Sequence, residues 1–200
     1  MNPVDKDTSS ADFVFYSRRL ARLLIEDALS ELPTESKSIQ TPCGPFVGLT
    51  IPSLDSSSLC AVSIMRAGDA ILEAVRECIP GVPVGKILIQ RDEAQVSKHP
   101  LHYYSKLPPD INRKHVILCD PLLATGGSSS MAIEVLVNAG VDPSNIIFAT
   151  LIACPEGLQF LATKHPLVKI VTASVDKHLN DDKYIVPGLG DFGDRFFNTR

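Results

Sequence analysis

The chain has 200 residues, of which 44% are hydrophobic, a size and composition that predict one folded domain with a substantial core. Its formal net charge of −4, without a basic run, argues against a nucleic acid or an anionic membrane surface as the main partner. Five widely spaced cysteines with no Cys-x-x-Cys pair argue against a zinc site and a disulfide framework, so we expect a reducing compartment, the cytoplasm.

The first segments in chain order are a polar tail, a helix and a hairpin. Residues 1–11 are polar and carry no apolar leader, so we expect a flexible tail ahead of a domain spanning residues 12–200. The turn-rich and then β-prone residues 41–51 predict a small hairpin outside the main sheet. Between them, large apolar residues at helical spacing predict an amphipathic helix that packs on the sheet or on a second subunit. These residues are Phe15, Leu20, Leu23, Leu24 and Leu29.

A strand, a loop and a helix open the central part of the chain. The apolar run from Leu59 to Met65 leads into Arg66, and apolar residues then recur at helical spacing from Ile71. A surface arginine would seldom follow such a run. At the carboxyl end of a strand, the planar guanidinium of Arg66 is well placed to bind a phosphate group.

The next segment predicts a lid. Residues 84–90 form a predicted strand that ends at Arg91, and residues 101–108 form a predicted return strand. The polar stretch between them lies at the ligand end of the sheet, where closure would exclude water, although a mobile surface hairpin is the alternative. His99 and His102 have the spacing of a metal pair but no third ligand nearby, so we assign no metal there.

The most informative stretch begins with the apolar residues 116–119 and continues through Asp120 to Ser128. We expect a strand, a tight loop and a helix that Ser128 caps, and the first N–H groups of that helix suit a phosphate. The Asp120 carboxylate is expected to accept hydrogen bonds from ribose hydroxyls; the alternative is that it only caps a turn. Neither a P-loop nor a dinucleotide motif is present. Cys119 reads as a buried strand cysteine and not as a nucleophile.

The last third of the chain continues the alternation of strands and helices. Strands are predicted at residues 146–153 and 169–175, with a helix starting at Pro155 between them. This order predicts an α/β fold, a parallel sheet flanked by helices in a single domain. The ending from Tyr184 to Phe197 has three glycines and two acids among apolar residues. It fits neither a helix nor a strand, and we expect a packed loop whose backbone is used for recognition.

Several motifs together resemble the uracil phosphoribosyltransferase family in its eukaryotic form, over nearly the whole chain after residue 12. The most specific is the ending, because this pattern belongs to the uracil enzymes and not to the purine or orotate enzymes. The motifs are Phe15-Tyr16, Thr41-Pro42, Ile64 to Gly68, Gly85 to Glu93, Tyr104 to Pro108, Asp120 to Ser128 and Tyr184 to Arg195.

The resemblance implies an activity and a set of site residues. The activity is conversion of uracil and 5-phosphoribosyl 1-diphosphate to UMP and diphosphate, with Mg²⁺ as cofactor. The implied catalytic residues are Arg66, Asp120 and Asp191. The implied sugar-diphosphate ligands are Arg66, Arg91, Asp120, Pro121, Leu122, Leu123, Ala124, Thr125, Gly126, Gly127, Ser128 and Asp191. The implied uracil ligands are Ile185, Gly190, Asp191 and Phe192, and no protein side chain is assigned as a direct metal ligand.

The resemblance also implies a homo-oligomer, a dimer or a tetramer, and leaves a response to GTP open. Asp69-Ala70, Cys154 and Asn198 depart from the usual family pattern, but none stands at an implied ligand position. Two alternative functions remain at this stage. One is a phosphoribosyltransferase for another base, and the other is a catalytically silent paralogue that senses nucleotides.

Overall fold

The computed structural model describes residues 4–52, 57–91 and 100–199, without the side chain of Arg91. Its helices are α1 (Ser10–Ser30), α2 (Asp69–Cys78), α3 (Gly127–Asn138), α4 (Pro155–Lys164) and α5 (Phe192–Phe197). Its strands are β1 (Glu35–Thr41), β2 (Gly44–Thr50), β3 (Leu59–Met65), β4 (Val84–Arg91), β5 (Pro100–Lys106), β6 (His115–Cys119), β7 (Leu122–Leu123), β8 (Ile146–Ala153), β9 (Lys169–Val175), β10 (His178–Leu179) and β11 (Ile185–Val186).

Seven strands form one sheet with the order β5, β4, β3, β6, β8, and both β7 and β9 pair with β8. All pairs are parallel except that of β4 with β5, which is the predicted return strand. The predicted α/β fold with a flanked parallel sheet is therefore confirmed. Parallel pairing brings the carboxyl ends of β3, β4 and β6 to one edge of the sheet, where ligands bind in folds of this class.

Helices cover both faces of the sheet. α1 and α2 pack on one face and α3 and α4 on the other, so the central strands are buried on both sides. Every residue of β8 is buried. Cys119 lies in this core, where burial raises the pKa of its thiol, which confirms the prediction of a buried strand cysteine. Each large apolar side chain buried here contributes about 1.5–3 kcal/mol.

The first helix differs from its sequence prediction in its start and in its buried face. α1 begins at Ser10, inside the range assigned to the tail, because the Ser9 side chain accepts a hydrogen bond from the backbone N–H of Asp12. Phe15 and Leu23, expected in the packed stripe, are 55% and 68% exposed. The buried face of α1 instead includes small residues, which allow the helix to approach the core closely. Its members are Phe13, Ser17, Ala21, Leu24, Ile25, Ala28 and Leu29.

The predicted hairpin is confirmed: β1 and β2 form an antiparallel pair outside the main sheet. The segment proposed as a lid lies mostly at residues 92–99, and that segment, with His99, is outside the described residues. Within the part of the chain that the structure describes, no helix is both long and apolar enough to cross a bilayer.

Candidate active site

A cavity of about 1100 Å³ opens at the carboxyl ends of β3, β4 and β6. On one side it is lined by the end of β3, including Arg66, and by the loop that follows β6, including Asp120. On the other side it is lined by the residues around β11 and the start of α5. Residues far apart in sequence therefore meet around one open space that is large enough for a nucleotide-sized ligand.

Asp120 reaches the cavity because the regular pairing of β6 with β8 is interrupted there. Its backbone N–H still donates to the carbonyl of Ala149 at 3.2 Å, but the carbonyl of Pro121 then accepts from two successive β8 N–H groups, those of Leu151 and Ile152. The chain resumes pairing with β8 at Leu122–Leu123 as β7. This break turns the Asp120 carboxylate out of the ladder and onto the cavity wall.

The predicted loop from Asp120 to Ser128 is therefore partly a strand, and one assigned residue faces away from the cavity. Leu123 is fully buried in the core, and its carbonyl accepts a hydrogen bond from the backbone N–H of Cys154 at 3.1 Å. The structure does not bring the Leu123 side chain to the site. The stretch has the apolar composition of a strand end, and no local pattern in it marks where pairing resumes.

The start of α3 also differs from the prediction. The residue at the N-cap position is Gly126, in a left-handed conformation with φ of 80°, and the helix begins at Gly127, so Ser128 is not the cap. A Cβ atom on Gly126 would lie 2.7 Å from Cδ1 of Phe160, which leaves room only for glycine. Ser128 instead lies in the first turn and lines the cavity. The first-turn N–H groups have no helical acceptors, so they suit an anion.

Helix α4 and the residue before it pack against the loop that leads from Asp120 to α3. A Cβ atom on Gly157 would lie 2.3 Å from the carbonyl oxygen of Ala124, so the helix and the loop can approach this closely only at glycine. The Cys154 thiol also donates to the Ala124 carbonyl oxygen at 3.0 Å. These contacts fix the backbone between the two lining residues Ala124 and Ser128, a stretch that contains Thr125, Gly126 and Gly127.

Arg66 lies on the same side of the cavity as Asp120, directly after β3, and its side chain is 51% exposed. Its Nη2 donates to Oδ1 of Asp194 at 2.8 Å, and its Nη1 donates to Oγ1 of Thr199 at 3.0 Å. The guanidinium carbon lies 5.4 Å from the ring centroid of Phe197. The guanidinium is thus oriented by residues of the last segment of the chain.

The ending contains regular structure, contrary to the sequence prediction. Ile185–Val186 pairs with β10 as β11, and residues 192–197 form the short helix α5. The Asp191 carboxylate caps this helix by accepting from the backbone N–H of Asp194 at 2.8 Å. The rings of Phe192 and Phe196, one helical turn apart, stack at 5.5 Å, and Phe192 is 1% exposed. A helix of six residues is too short for its periodicity to be recognised in the sequence.

What remains irregular is a short glycine-rich connection from Pro187 to Asp191, named here the base loop. Gly188 and Gly190 have φ values of 58° and 79°, which favour glycine. The N–H of Gly188 donates to Oδ2 of Asp176 at 2.9 Å, which anchors the base loop to the residue that follows β9. Gly190 and Asp191 line the cavity together with Ile185 and Phe192.

The structure brings most of the predicted site residues together. The ones that line the cavity are Arg66, Asp120, Pro121, Leu122, Ala124, Ser128, Ile185, Gly190, Asp191 and Phe192. Arg91 ends β4, and its side chain lies outside the described part of the structure. No group of three or more histidine, cysteine or acidic residues with the arrangement of a metal site occurs among the residues that the structure describes.

Other residues line the cavity although the sequence did not predict them. They are Ile64, Met65, Ala67, Ile89, Gln90, Tyr103, Asp182, Lys183, Tyr184, Leu189 and Gly193. Tyr184 opens the distinctive ending and could have been found there. Asp182 and Lys183 belong to the turn between β10 and β11, in which Lys183 has a left-handed φ of 67°. Nothing in their composition distinguishes this turn from any other polar connection.

Comparisons with known proteins agree with this geometry. The sequence model of the family described as uracil phosphoribosyltransferase matches residues 5–199. The uracil phosphoribosyltransferase of Dictyostelium discoideum is 46% identical over 196 residues, which are 98% of this chain and 88% of that protein. The uracil phosphoribosyltransferase of Saccharomyces cerevisiae is 45% identical over 194 residues, which are 96% of this chain and 87% of that protein.

Among solved structures, that of the AQ2163 protein from Aquifex aeolicus is similar, with a TM-score of 0.83 and 32% sequence identity. The similarity covers 98% of this chain and 91% of that chain. All of these matches include both walls of the cavity, the one that carries Arg66 and Asp120 and the one that carries the base loop. The chain therefore belongs to the uracil phosphoribosyltransferase family.

Proposed function

We propose that the protein converts uracil and 5-phosphoribosyl 1-diphosphate to UMP and diphosphate, a reaction of pyrimidine salvage. One observation carries this proposal: a helix N-terminus with an adjacent carboxylate and a glycine-rich loop face each other across one cavity. The helix N-terminus with its carboxylate suits a ribose phosphate, and the glycine-rich loop suits a flat base. The cavity can therefore hold a sugar phosphate and a base side by side and join them into a nucleotide. The family membership of the chain supports the same activity.

The sugar phosphate is assigned to the wall formed by Asp120 and the start of α3. The 5-phosphate would accept hydrogen bonds from N–H groups between Thr125 and Ser128, where the helix dipole also favours an anion. The Asp120 carboxylate would accept from the ribose hydroxyls. Arg66 and Arg91 are assigned to the diphosphate, which needs local positive charge because the chain as a whole has a net charge of −4.

Uracil is assigned to the base loop with Ile185 and Phe192. Along one edge uracil presents an acceptor, a donor and an acceptor, O2, N3–H and O4. We assign the matching groups to the backbone around Gly190, because the N–H of Gly188 is already bonded to Asp176 and the carbonyl of Leu189 accepts from Arg195. Cytosine would place like groups against each other, and sites of this type discriminate by about 10⁴–10⁵.

Mg²⁺ fits the donor chemistry of the cavity. This ion binds through one or two carboxylates together with substrate phosphates, and Asp120 and Asp191 offer carboxylates on the two walls. Either carboxylate could hold the ion, with the oxygens of 5-phosphoribosyl 1-diphosphate as the remaining ligands. The bound ion would neutralise negative charge on the leaving diphosphate.

The protein's own contribution is then mostly electrostatic and positional. Uracil N1 attacks the anomeric carbon from the side opposite the diphosphate, the bond from that carbon to the diphosphate oxygen breaks, and the N1 proton passes to water. The two walls hold base and sugar in line, and Arg66 stabilises charge on the leaving group. Burial keeps the Cys119 thiol protonated and in the core, so we assign no covalent intermediate.

We also propose that the protein works as a homo-oligomer. Phe46 and Leu49 on the protruding hairpin are 55% and 75% exposed, and Leu23 on α1 is 68% exposed. We assign these exposed apolar side chains to a subunit contact, because exposed apolar patches mark protein–protein interaction sites. A cytoplasmic location is part of the proposal, since all five cysteines are free thiols.

A steady-state assay of UMP formation from labelled uracil tests the proposed function. We expect turnover that requires Mg²⁺ and that is absent with cytosine, orotate and purine bases. Turnover with one of those bases instead would assign the enzyme to another base, and binding of nucleotides without turnover would identify a silent paralogue. Repeating the assay with GTP tests for an effector, and sedimentation velocity of the same preparation gives the oligomeric state.

A further inference from the structure

Arg66, which lines the cavity, forms a closed ring of hydrogen bonds with Asp194 and Thr199 behind it. Arg66 donates from Nη2 to Oδ1 of Asp194 at 2.8 Å and from Nη1 to Oγ1 of Thr199 at 3.0 Å. The Thr199 hydroxyl in turn donates to the same Oδ1 of Asp194 at 2.8 Å. Each residue of this hydrogen-bonded ring therefore restrains the other two. The guanidinium carbon also lies 5.4 Å from the centroid of the aromatic side chain of Phe197.

The ring fixes the orientation of the guanidinium without using all its donors. Arg66 is about half exposed, and an exposed arginine in isolation samples many rotamers, so binding a ligand would require it to lose that freedom. A guanidinium has five N–H groups in a fixed plane, and the ring uses one on each of Nη1 and Nη2. The other N–H groups can reach a second acceptor while the ring is intact.

The partners of Arg66 are held by the helix that follows the base loop. Asp191 caps α5 through the backbone N–H of Asp194, and the carbonyl of Asp194 accepts from the N–H of Thr199 at 3.1 Å. Between them Asn198 turns the chain with a left-handed φ of 54°. Asparagine is one of the few residues that adopt this conformation readily, so the chain can turn at Asn198 and return Thr199 to Asp194.

We propose that Asp194 and Thr199 are positioning residues for Arg66 and that they set the affinity of the cavity for the diphosphate group of the sugar substrate. This inference rests on the proposed function. The two residues hold the guanidinium in the plane in which it meets a diphosphate, so part of the entropy of ordering Arg66 is lost on folding and not on binding. They act through Arg66 and are not assigned a contact with either substrate.

Thr199 provides the sharper test, because its replacement changes no charge near an anionic ligand. Thr199→Val removes the hydroxyl at nearly constant volume, and Thr199→Ser keeps the hydroxyl as the matched control. The change removes both hydrogen bonds of the hydroxyl, but only the bond from Arg66 orients the guanidinium directly, so we expect Thr199→Val to raise KM for 5-phosphoribosyl 1-diphosphate by about three- to tenfold. KM for uracil at saturating sugar substrate and the thermal midpoint should stay within error, and Thr199→Ser should match the unmodified protein.

A double-mutant cycle with Arg66→Met tests whether Thr199 acts through Arg66. Binding of 5-phosphoribosyl 1-diphosphate with Mg²⁺ is measured by titration calorimetry on the full chain. In the Arg66→Met protein, Thr199→Val should have no further effect on Kd. An equal loss in both backgrounds, an unchanged KM in Thr199→Val, or equal increases of KM for both substrates would overturn the inference.

The same measurements separate this inference from the proposed function. If the unmodified protein forms UMP but Thr199→Val does not change the kinetics for the sugar substrate, only the positioning role is wrong. If the unmodified protein forms no UMP and binds no 5-phosphoribosyl 1-diphosphate, the proposed function and the inference that depends on it are both wrong.

Discussion

Arg195 donates from Nη1 to the carbonyl oxygen of Leu189 at 2.8 Å, and so holds the base loop from its buried side. Its Nη2 donates to the carbonyl oxygen of Asp5 at 2.6 Å, and its guanidinium carbon lies 4.2 Å from the ring centroid of Phe13. One side chain that is 6% exposed thus joins the base loop to the segment before α1. Residues near the start of the described chain contribute in this way to the shape of the pocket that we propose for uracil.

Arg195→Lys is expected to weaken uracil binding and to lower stability. A lysine ammonium cannot reproduce the fork that reaches two carbonyl groups, so one of these partly buried carbonyls loses its donor at a cost of about 0.5–1.5 kcal/mol. Urea unfolding and KM for uracil measure the two effects. Arg18→Lys, at a surface pair with Glu73, is the control and should change neither quantity. An unchanged KM for uracil in Arg195→Lys would show that the base loop keeps its shape without this contact.

Asp120→Asn is expected to keep the fold and to weaken binding of the sugar substrate. The change removes a charge-assisted acceptor for the ribose hydroxyls, at a cost of about 1.5–3 kcal/mol. Calorimetric titration with 5-phosphoribosyl 1-diphosphate gives the change directly, and circular dichroism checks the fold. Normal turnover of the variant at low sugar-substrate concentration would mean that Asp120 does not bind the ribose.

Base choice is expected to depend on the backbone at Gly190. Gly190→Ala should abolish turnover with every pyrimidine, because the side chain strains a φ of 79° and prevents close approach of the base. Gly81→Ala is a matched control: Gly81 has a φ of 82°, and a Cβ atom there meets nothing within 4 Å. It should lose similar stability but keep its base preference. Phe192→Leu should also keep the preference for uracil, and a switch of base in that variant would mean that a side chain reads the base.

The turn after β3 is expected to tolerate no side chain at Gly68. A Cβ atom there would lie 2.2 Å from the carbonyl oxygen of Cys119 and 2.7 Å from that of Ile64, and neither backbone can give way. Gly68→Ala should therefore lower the free energy of unfolding by about 3 kcal/mol or more. At Gly127 the nearest atom would be 3.6 Å away, so Gly127→Ala should unfold at the same denaturant concentration as the unmodified protein. Equal midpoints for the two variants would contradict the packing described at Gly68.

A dependence of stability on pH is expected from His165, whose Nε2 lies 2.9 Å from Oγ of Ser130. Burial, with a smaller contribution from Lys164, lowers the pKa of this imidazole below its ordinary value. As pH falls below about 6.5, the unfolded chain binds a proton that the folded protein resists, so stability present at neutral pH is lost.

His165→Gln removes this contribution and leaves that of His115, whose pKa burial also lowers. The free energy of unfolding of the unmodified protein minus that of the variant should therefore decrease as pH is lowered from neutral. Chemical denaturation at a series of pH values measures this difference. A constant difference would show that His165 titrates alike in the folded and unfolded states.

The sequence predicted the parts of the molecule whose physical signal is local and repeated. Strands β3 and β8 were found within about a residue of their ends because both their faces are buried and the apolar runs are continuous. Asp120 and Arg66 were found because each follows such a run at its carboxyl end. Both positions can be recognised from the end of a predicted strand alone, before any tertiary contact is known.

The errors concern features that tertiary contacts decide. The buried face of α1 was predicted only in part: Leu24 and Leu29 are buried as expected, but the small buried residues, such as Ala21 and Ala28, were missed because only large apolar residues were considered. Helix α5 was missed because its stability comes from the Asp191 cap and from aromatic packing, not from a long period. Lys183 was missed because only the folded chain brings that turn to the cavity. Each depends on a neighbour distant in sequence, which no local pattern contains.

The ring that joins Arg66 to Thr199 has a consequence for the order of events during synthesis. The two residues are 133 positions apart. A ribosome adds about 5–20 residues per second, so several seconds pass between their appearance, and β3 can pair with its neighbouring strands in that time. The hydrogen-bonded ring that orients Arg66 therefore forms after the sheet on which Arg66 stands. A chain released before Thr199 could be folded and yet lack the feature that we expect to organise its leaving-group site.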